Sequence, residues 1–160
     1  MCICKVSELA KHKISAFFEK HWGSPEMVIS SGIYHCNELD GFVYLNENQD
    51  IIGLITYVIR NNECEIISLD SIVEGNGIGS KLLQQVENIA KYNGCRLIKL
   101  ITTNDNLHAL KFYQKRGYRL IKVLQHAVDR ARKLKPSIPL IGNDGIPLRD
   151  ELVLQKDFAN

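Results

Sequence analysis

Apolar residues recur along this chain in two ways. From Gly41 to Leu45, Ile51 to Arg60 and Glu63 to Val73 they form short runs rich in β-branched residues, separated by a polar turn at Asn46 to Asp50 and by the pair Asn61-Asn62. Runs of this length read as strands, and an asparagine pair as a two-residue hairpin turn, so an antiparallel meander is expected here. The period then changes. Ile78, Leu82, Leu83, Val86, Ile89 and Ala90 fall at helical spacing, and Asn93-Gly94 supplies a stop. Arg96 to Thr103 is strand-like again, and strand, helix and strand in this order predict a right-handed parallel crossover.

The flanks are less regular. Ser7 to Lys20 reads as an amphipathic helix through Leu9, Ile14, Phe17 and Phe18, ending near Trp22-Gly23. Ser24 to Asp40 carries Pro, Gly and Ser punctuation and predicts no element. Leu107 to Lys115 reads as a short helix with Asn106 as N-cap and Gly117 after its end. A strand at Arg119 to Leu124, a helix at Ala127 to Leu134, a punctuated loop at Pro136 to Gly145 and a last strand at Glu151 to Lys156 complete the pattern. The expected class is α/β, a mixed sheet with helices on both faces.

Composition narrows the setting. The chain has 160 residues, 45% of them hydrophobic and 24% charged, with a net charge of +2. That length suits one domain, 1–160, and the composition suits a soluble globular protein. So small a net charge gives no argument for nucleic acid, and the basic cluster Arg130, Arg132, Lys133 and Lys135 reads as a solvated helix face. No apolar run is long enough to span a bilayer, and Met1 to Lys13 mixes charges early, so neither membrane association nor a signal peptide is expected. Five cysteines at scattered spacings point to a reduced, cytoplasmic setting. The five histidines show no metal-ligand spacing, and no metal is expected.

The most informative segment is Glu74-Gly75-Asn76-Gly77-Ile78-Gly79-Ser80, which joins a strand to a helix. Glycines let the backbone take positive φ and let a ligand approach closely. The helix N-terminus leaves N–H groups unpaired, and the two features together make a cradle for phosphate or pyrophosphate. A Walker loop would end Gly-Lys-Ser/Thr, whereas the order here is Gly79-Ser80-Lys81. A dinucleotide fingerprint would place a third glycine where Ser80 stands and an acidic residue at the end of the next strand, which reads Ile101-Thr102-Thr103.

Through this loop and a second motif downstream, the sequence resembles the GNAT superfamily of N-acetyltransferases. The family's pyrophosphate loop reads Gln/Arg-x-x-Gly-x-Gly/Ala after a strand; Glu74-x-x-Gly77-x-Gly79 matches, with Glu74 in place of Gln or Arg. The second family signature, Asn-x-x-Ala-x-x-x-Tyr-x-Lys-x-Gly-Phe/Tyr, runs here through Asn106, Ala109, Tyr113, Lys115, Gly117 and Tyr118 without a gap. The resemblance covers roughly 41–124 and leaves 125–150 as an extra helix-loop segment before the last strand. It implies a mostly antiparallel sheet with a central parallel strand pair that splays apart, and acetyl-CoA as cofactor. The pantetheine arm would lie in the splay beside Leu69, Asp70 and Ser71, and the diphosphate on Glu74, Gly75, Asn76, Gly77, Ile78, Gly79 and Ser80. Asn106 would touch the arm, and Tyr113 would lie near the thioester sulfur. The acceptor would be a small-molecule or peptide amine, flanked by Tyr34 and His35. Family members often pair, so a homodimer is an expectation as well.

Acyl transfer from sulfur to nitrogen needs a neutral amine, a stabilised oxyanion and a proton for the leaving thiolate. An amine of pKa about 10.4 must first lose a proton, which a carboxylate can accept. Glu65 and Glu63 share one side of their strand and are the expected bases, with two exposed edge carboxylates as the alternative reading. Asp70 is a third candidate, closer to the cofactor loop, although strict alternation puts it on the opposite side from Glu65. Tyr113 is the expected acid, although a phenol near pKa 10 facing a thiol near 8.5 makes full transfer slightly uphill, so hydrogen bonding can replace it. Trp22 is a candidate for the substrate pocket, or an anchor for the first helix. Arg149, Asp150 and Glu151 could meet a cationic acceptor or form a solvated turn. Two alternatives to an enzyme of this kind stay open: a non-catalytic acyl-CoA sensor or interaction module on the same fold, and a nucleoside triphosphate enzyme using the glycine loop.

Overall fold

The structure is a computed structural model that describes residues 2–73 and 75–158. Its strands and helices in chain order are β1 (Cys2–Lys5), α1 (Lys11–Trp22), β2 (Glu26–Ile29), β3 (Gly32–His35), β4 (Asp40–Leu45), β5 (Ile51–Arg60), β6 (Glu63–Ser71), α2 (Ile78–Tyr92), β7 (Leu97–Thr103), α3 (Leu107–Gln114), β8 (Arg119–Leu124), α4 (Ala127–Leu134) and β9 (Glu151–Asp157). Seven strands form one sheet in the order β1-β4-β5-β6-β7-β9-β8, while β2 and β3 form a separate hairpin. Every pairing in the large sheet is antiparallel except β6 with β7. The mixed, mostly antiparallel α/β sheet with its central parallel pair is therefore as expected.

The meander forms because each strand offers a continuous apolar face and each turn suits its geometry. Asn61 and Asn62 both take positive φ, 52° and 62°, as a two-residue turn between right-twisted strands requires. The crossover helix α2 buries Ile78, Leu82, Leu83, Val86 and Ala90 against one face of the sheet. There it packs with Ile55, Cys64, Ile66, Ile98, Tyr113 and Leu154. On the other face, Ile14, Phe17 and Phe18 of α1 pack with Val43, Leu54, Ile67, Tyr34 and Cys36. Helices thus cover both faces.

One irregularity governs the site. Thr56 of β5 pairs with Ser68, but the next residue, Tyr57, pairs with Ile66. Ile67 is the extra residue of a β-bulge, and a bulge shifts the alternation of everything beyond it. Cys64 and Ile66 face α2, and strict alternation would send Ser68 and Asp70 the same way. Instead Ser68 bonds Thr56 Oγ1 at 2.5 Å and Asp70 accepts from Trp22 at the end of α1. Asp70 and Glu65 therefore share the α1 face, which corrects the expectation that they point apart.

Candidate active site

β6 and β7 are laddered only from Glu63↔Leu97 to Ile66↔Leu100. Beyond that register the two strands part. β7 continues to pair with β9 as far as Thr103↔Glu151, and β6 with β5 as far as Ser71↔Gly53. Ile72 N donates to Ile52 O at 3.0 Å. Counting back by the alternation of an antiparallel ladder, the N–H and C=O groups of Ser71 and Leu69 point away from β5 into the gap. The gap opens a cleft of about 320 Å³ lined by Leu69, Asp70, Ile101, Thr103, Asn106 and Tyr113.

The cleft continues into a larger cavity of about 540 Å³ between the end of β6, the N-terminus of α2 and α3. Gly77 caps α2 with φ of 68°, and no side chain caps it. The first intrahelical bond is Lys81 N to Gly77 O at 3.0 Å, which leaves the N–H groups of Ile78, Gly79 and Ser80 without helical partners. The expected cofactor residues from Leu69 to Ser71 and from Gly77 to Ser80 border this cavity, as do Gly75 and Asn106, whereas Asn76 is exposed and borders neither cavity nor cleft. Glu74 lies outside the described residues.

Arg116, absent from the sequence expectations, lies on the cavity wall. Its guanidinium carbon stacks 3.7 Å from the Phe112 ring centroid, its Nε donates to Ser80 Oγ at 3.1 Å, and Nη1 donates to Phe112 O at 2.8 Å. A fixed cation thus stands beside the unpaired N–H groups.

Asn106 caps α3 by accepting from Ala109 N at 3.1 Å, and the helix turns Tyr113 into the site. Tyr113 is only 5% exposed, borders both cleft and cavity, and packs edge-on against Phe112 and Tyr118. Burial pushes its phenol well above the usual tyrosine value, with the negative charge of Asp70 adding and Arg116 opposing. The phenol is therefore neutral.

Asp70 also borders both spaces. Its Oδ1 accepts from Trp22 Nε1 at 3.1 Å, while Oδ2 is shut off from solvent without a hydrogen-bond partner among the described residues. Burial pushes this carboxyl above the usual carboxylate range; the Trp22 bond and His21 work in the other direction.

The two glutamates expected as bases sit elsewhere. Glu63 is bound by Lys99 Nζ at 2.9 Å and by Arg96, and the Lys99 bond, outweighing burial, holds it below the usual carboxylate value. Glu65 accepts from Ser31 Oγ at 2.6 Å and Arg60 Nη2 at 2.9 Å. Neither borders the cleft or the cavities on either side of it, whereas Asp70 on the same strand borders both the cleft and the larger cavity. Of the expected substrate residues, Trp22 lies at the cleft, Tyr34 is buried with its hydroxyl on Ser31 and Arg60, and His35 is exposed away from it.

The Acetyltransferase (GNAT) family model matches residues 8–118, more than half of the chain. The chain belongs to the GNAT acetyltransferase family. It is 56% identical over 158 residues to the Bacillus subtilis (strain 168) protein called Uncharacterized protein YxbD, covering 99% of each. Its fold is similar to that of a Bacillus subtilis acetyltransferase in complex with CoA, with a TM-score of 0.69, 18% identity and 98% of each chain covered. A GNAT family acetyltransferase from Elizabethkingia anophelis with acetyl-CoA bound gives a TM-score of 0.65 at 22% identity, covering 75% of this chain and 76% of that one.

The family match stops at Tyr118, and half of the residues lining a third space lie beyond that point. A cavity of about 500 Å³ on the α1 face is bordered by Trp22, Glu26, Met27 and Ile29 on one side and by Val128, Ala131, Lys135, Ile138, Leu148 and Glu151 on the other. The 125–150 segment thus supplies one wall of this cavity. Arg132 holds it by donating to the carbonyl oxygens of Ile138 (3.0 Å), Pro139 (2.7 Å) and Leu148 (2.8 Å). Asn104 accepts from Arg149 N and Asp150 N and donates to Pro147 O. Asp105 accepts from Asn143 N at 2.8 Å, and a Cβ on Gly142 would come within 2.1 Å of its carboxylate, so only glycine fits there. Nothing in the punctuation of 136–145 announces this seating; it depends on Asn104 and Asp105, which are remote in sequence.

Proposed function

We propose that this chain is an N-acetyltransferase that moves an acetyl group from acetyl-CoA to a primary amine by direct attack. The observation that carries the reading is the parting of β6 and β7 beside an uncapped helix N-terminus. It provides a phosphate cradle, a free strand edge and a reaction cleft in one continuous space. The residues fit the cofactor: unpartnered N–H groups and the Arg116 guanidinium suit a diphosphate, and a strand edge suits an amide-bearing arm.

Acetyl-CoA supplies an activated acetyl thioester when bound. The N–H groups of Ile78, Gly79 and Ser80, aided by the positive end of α2 and by Arg116, hold the diphosphate. Leu69 and Ser71 offer backbone donors and acceptors to the arm, and Asn106 offers its amide. Asp70, the carboxylate that borders the cleft, takes the proton from the acceptor ammonium. Its raised pKa places it closer to the amine and makes it a better base than an ordinary aspartate. Tyr113 keeps its proton at Oη facing the cleft and gives a hydrogen bond to the sulfur as negative charge gathers there. A soluble, cytoplasmic single-domain enzyme remains part of this reading.

The test pairs cofactor binding with turnover. CoA should displace ATP in competition, and acetyl-CoA should release thiol with at least one member of a primary amine panel. Tight CoA binding without thiol release from any amine would favour the sensor reading, and preference for ATP would remove both.

A further inference from the structure

The cavity on the α1 face carries an unusual carboxylate. Glu151 opens β9, is 1% exposed and borders the cavity. Its Oε1 accepts from Ser30 N at 3.1 Å, at the tip of the β2–β3 hairpin. Among the described residues no hydrogen bond or ion pair engages its other oxygen. Glu65, equally buried, ties the same hairpin tip through Ser31 but has the Arg60 guanidinium on it. A carboxylate removed from water is costly unless a cation or further donors complete it, and Glu151 has one backbone N–H.

The remaining ionisable groups around the cavity are Glu26 and Lys135. The ammonium of Lys135 is turned onto the main-chain oxygen of Glu26 at 2.6 Å. Two carboxylates against one cation leave the cavity net negative. The walls between are apolar: Trp22, Met27, Ile29, Val128, Ile138 and Leu148. Trp22, Met27, Ile29 and Thr103 border both cleft and cavity, so one elongated molecule can reach Asp70 and Glu151 together.

We propose that the acceptor is an amine with an apolar body and a second cationic group, and that Glu151 receives this second cation while Asp70 meets the nitrogen to be acetylated. This rests on the acetyl-transfer reading and names the substrate class for the same site. Glu151 is then a specificity residue. The proton leaves only the nitrogen at Asp70; the second cation stays charged and is not acetylated in that pose.

The experiment compares n-hexylamine, hexamethylenediamine and ε-aminocaproate as acceptors for the full chain and for Glu151→Gln. The variant keeps a carbonyl oxygen for Ser30 N while losing the charge. Calorimetry of hexamethylenediamine with both CoA-loaded proteins runs beside it. The diamine is expected to exceed the monoamine tenfold or more in kcat/KM, mainly through KM, with ε-aminocaproate the poorest. In Glu151→Gln the preference should collapse to within about twofold while monoamine turnover holds, a split that a merely structural role would not produce. Thiol release with no diamine preference, a preference unchanged in the variant, or ε-aminocaproate as the best acceptor would overturn the inference and leave acetyl transfer standing. Glu151-dependent diamine binding without thiol release would overturn acetyl transfer, and with it the acceptor role, and leave only the cation site at Glu151. Absence of both binding and release removes both.

Discussion

Two halves of one strand behave differently. In the laddered half of β6, Glu63 and Glu65 are met by Lys99, Arg96 and Arg60, and their charge is consumed in holding neighbouring segments together. In the parted half, Asp70 has a tryptophan N–H on one oxygen and, among the described residues, nothing on the other. Acidic residues on one strand thus divide into fasteners and the proposed base, and the division tracks the backbone pairing. Where the parallel ladder closes, the space beside a carboxylate is filled by other elements. Where it opens, a carboxylate can stay buried without a cation, at a cost to stability that favours its neutral form.

The comparison is broken first by Asp70→Asn. With the Trp22 acceptor retained and the base removed, kcat should fall about 100- to 10,000-fold. The wild-type pH profile should show an acid limb above the usual carboxylate range, and the variant should lack it. The stability consequence has a definite sign. Because folding raises the pKa of Asp70, the folded state is penalised once pH passes the unfolded value of about 3.9, and the penalty is complete above the raised folded value. The variant should therefore match wild type in acid and melt higher at neutral pH. A lower neutral Tm would mean that the carboxylate is a fastener after all. Next, Tyr113→Phe should lower kcat about tenfold to 100-fold with CoA affinity unchanged, at or below the low end of acid catalysis because only a hydrogen bond is lost. An unchanged kcat would remove the phenol from the mechanism.

The laddered half should respond in stability instead. Glu65→Gln should cost about 1–2 kcal/mol by chemical denaturation, from one buried hydrogen-bonded charge, with kcat held within about threefold. Glu63→Gln should move stability by no more than about 0.5 kcal/mol and leave rate alone, since its cationic partners are partly or largely exposed to water. A large rate loss in either variant would return the base to the laddered half.

Much of this was legible in the chain because it rests on local rules. The meander strands, α2 and the glycine loop come from apolar spacing and from residues whose backbone preferences are strong. The Asn106-to-Tyr118 signature placed α3 and Tyr113. What was missed depends on partners far away in sequence. β1 has only four residues and gains its identity by pairing with β4. The β2–β3 hairpin reads as punctuation because its residues are held partly by Glu151 and Glu65 on other strands. Asp70 was assigned to the wrong face because alternation was assumed along β6. The extra residue at Ile67 is visible only against β5. Arg116 sits at an unspecified position of the signature, and its role comes from Ser80, which lies 36 residues away.

Arg132, Asn104 and Asp105 all grip the 138–150 segment by its peptide groups and none by its side chains. A wall bolted on in this manner is indifferent to the identity of most residues it displays. Positions such as Ile138 and Leu148 can drift, and the lining of the chamber with them, while the frame keeps its shape. One scaffold can therefore be refitted for new ligands by changing the upholstery without touching the joinery.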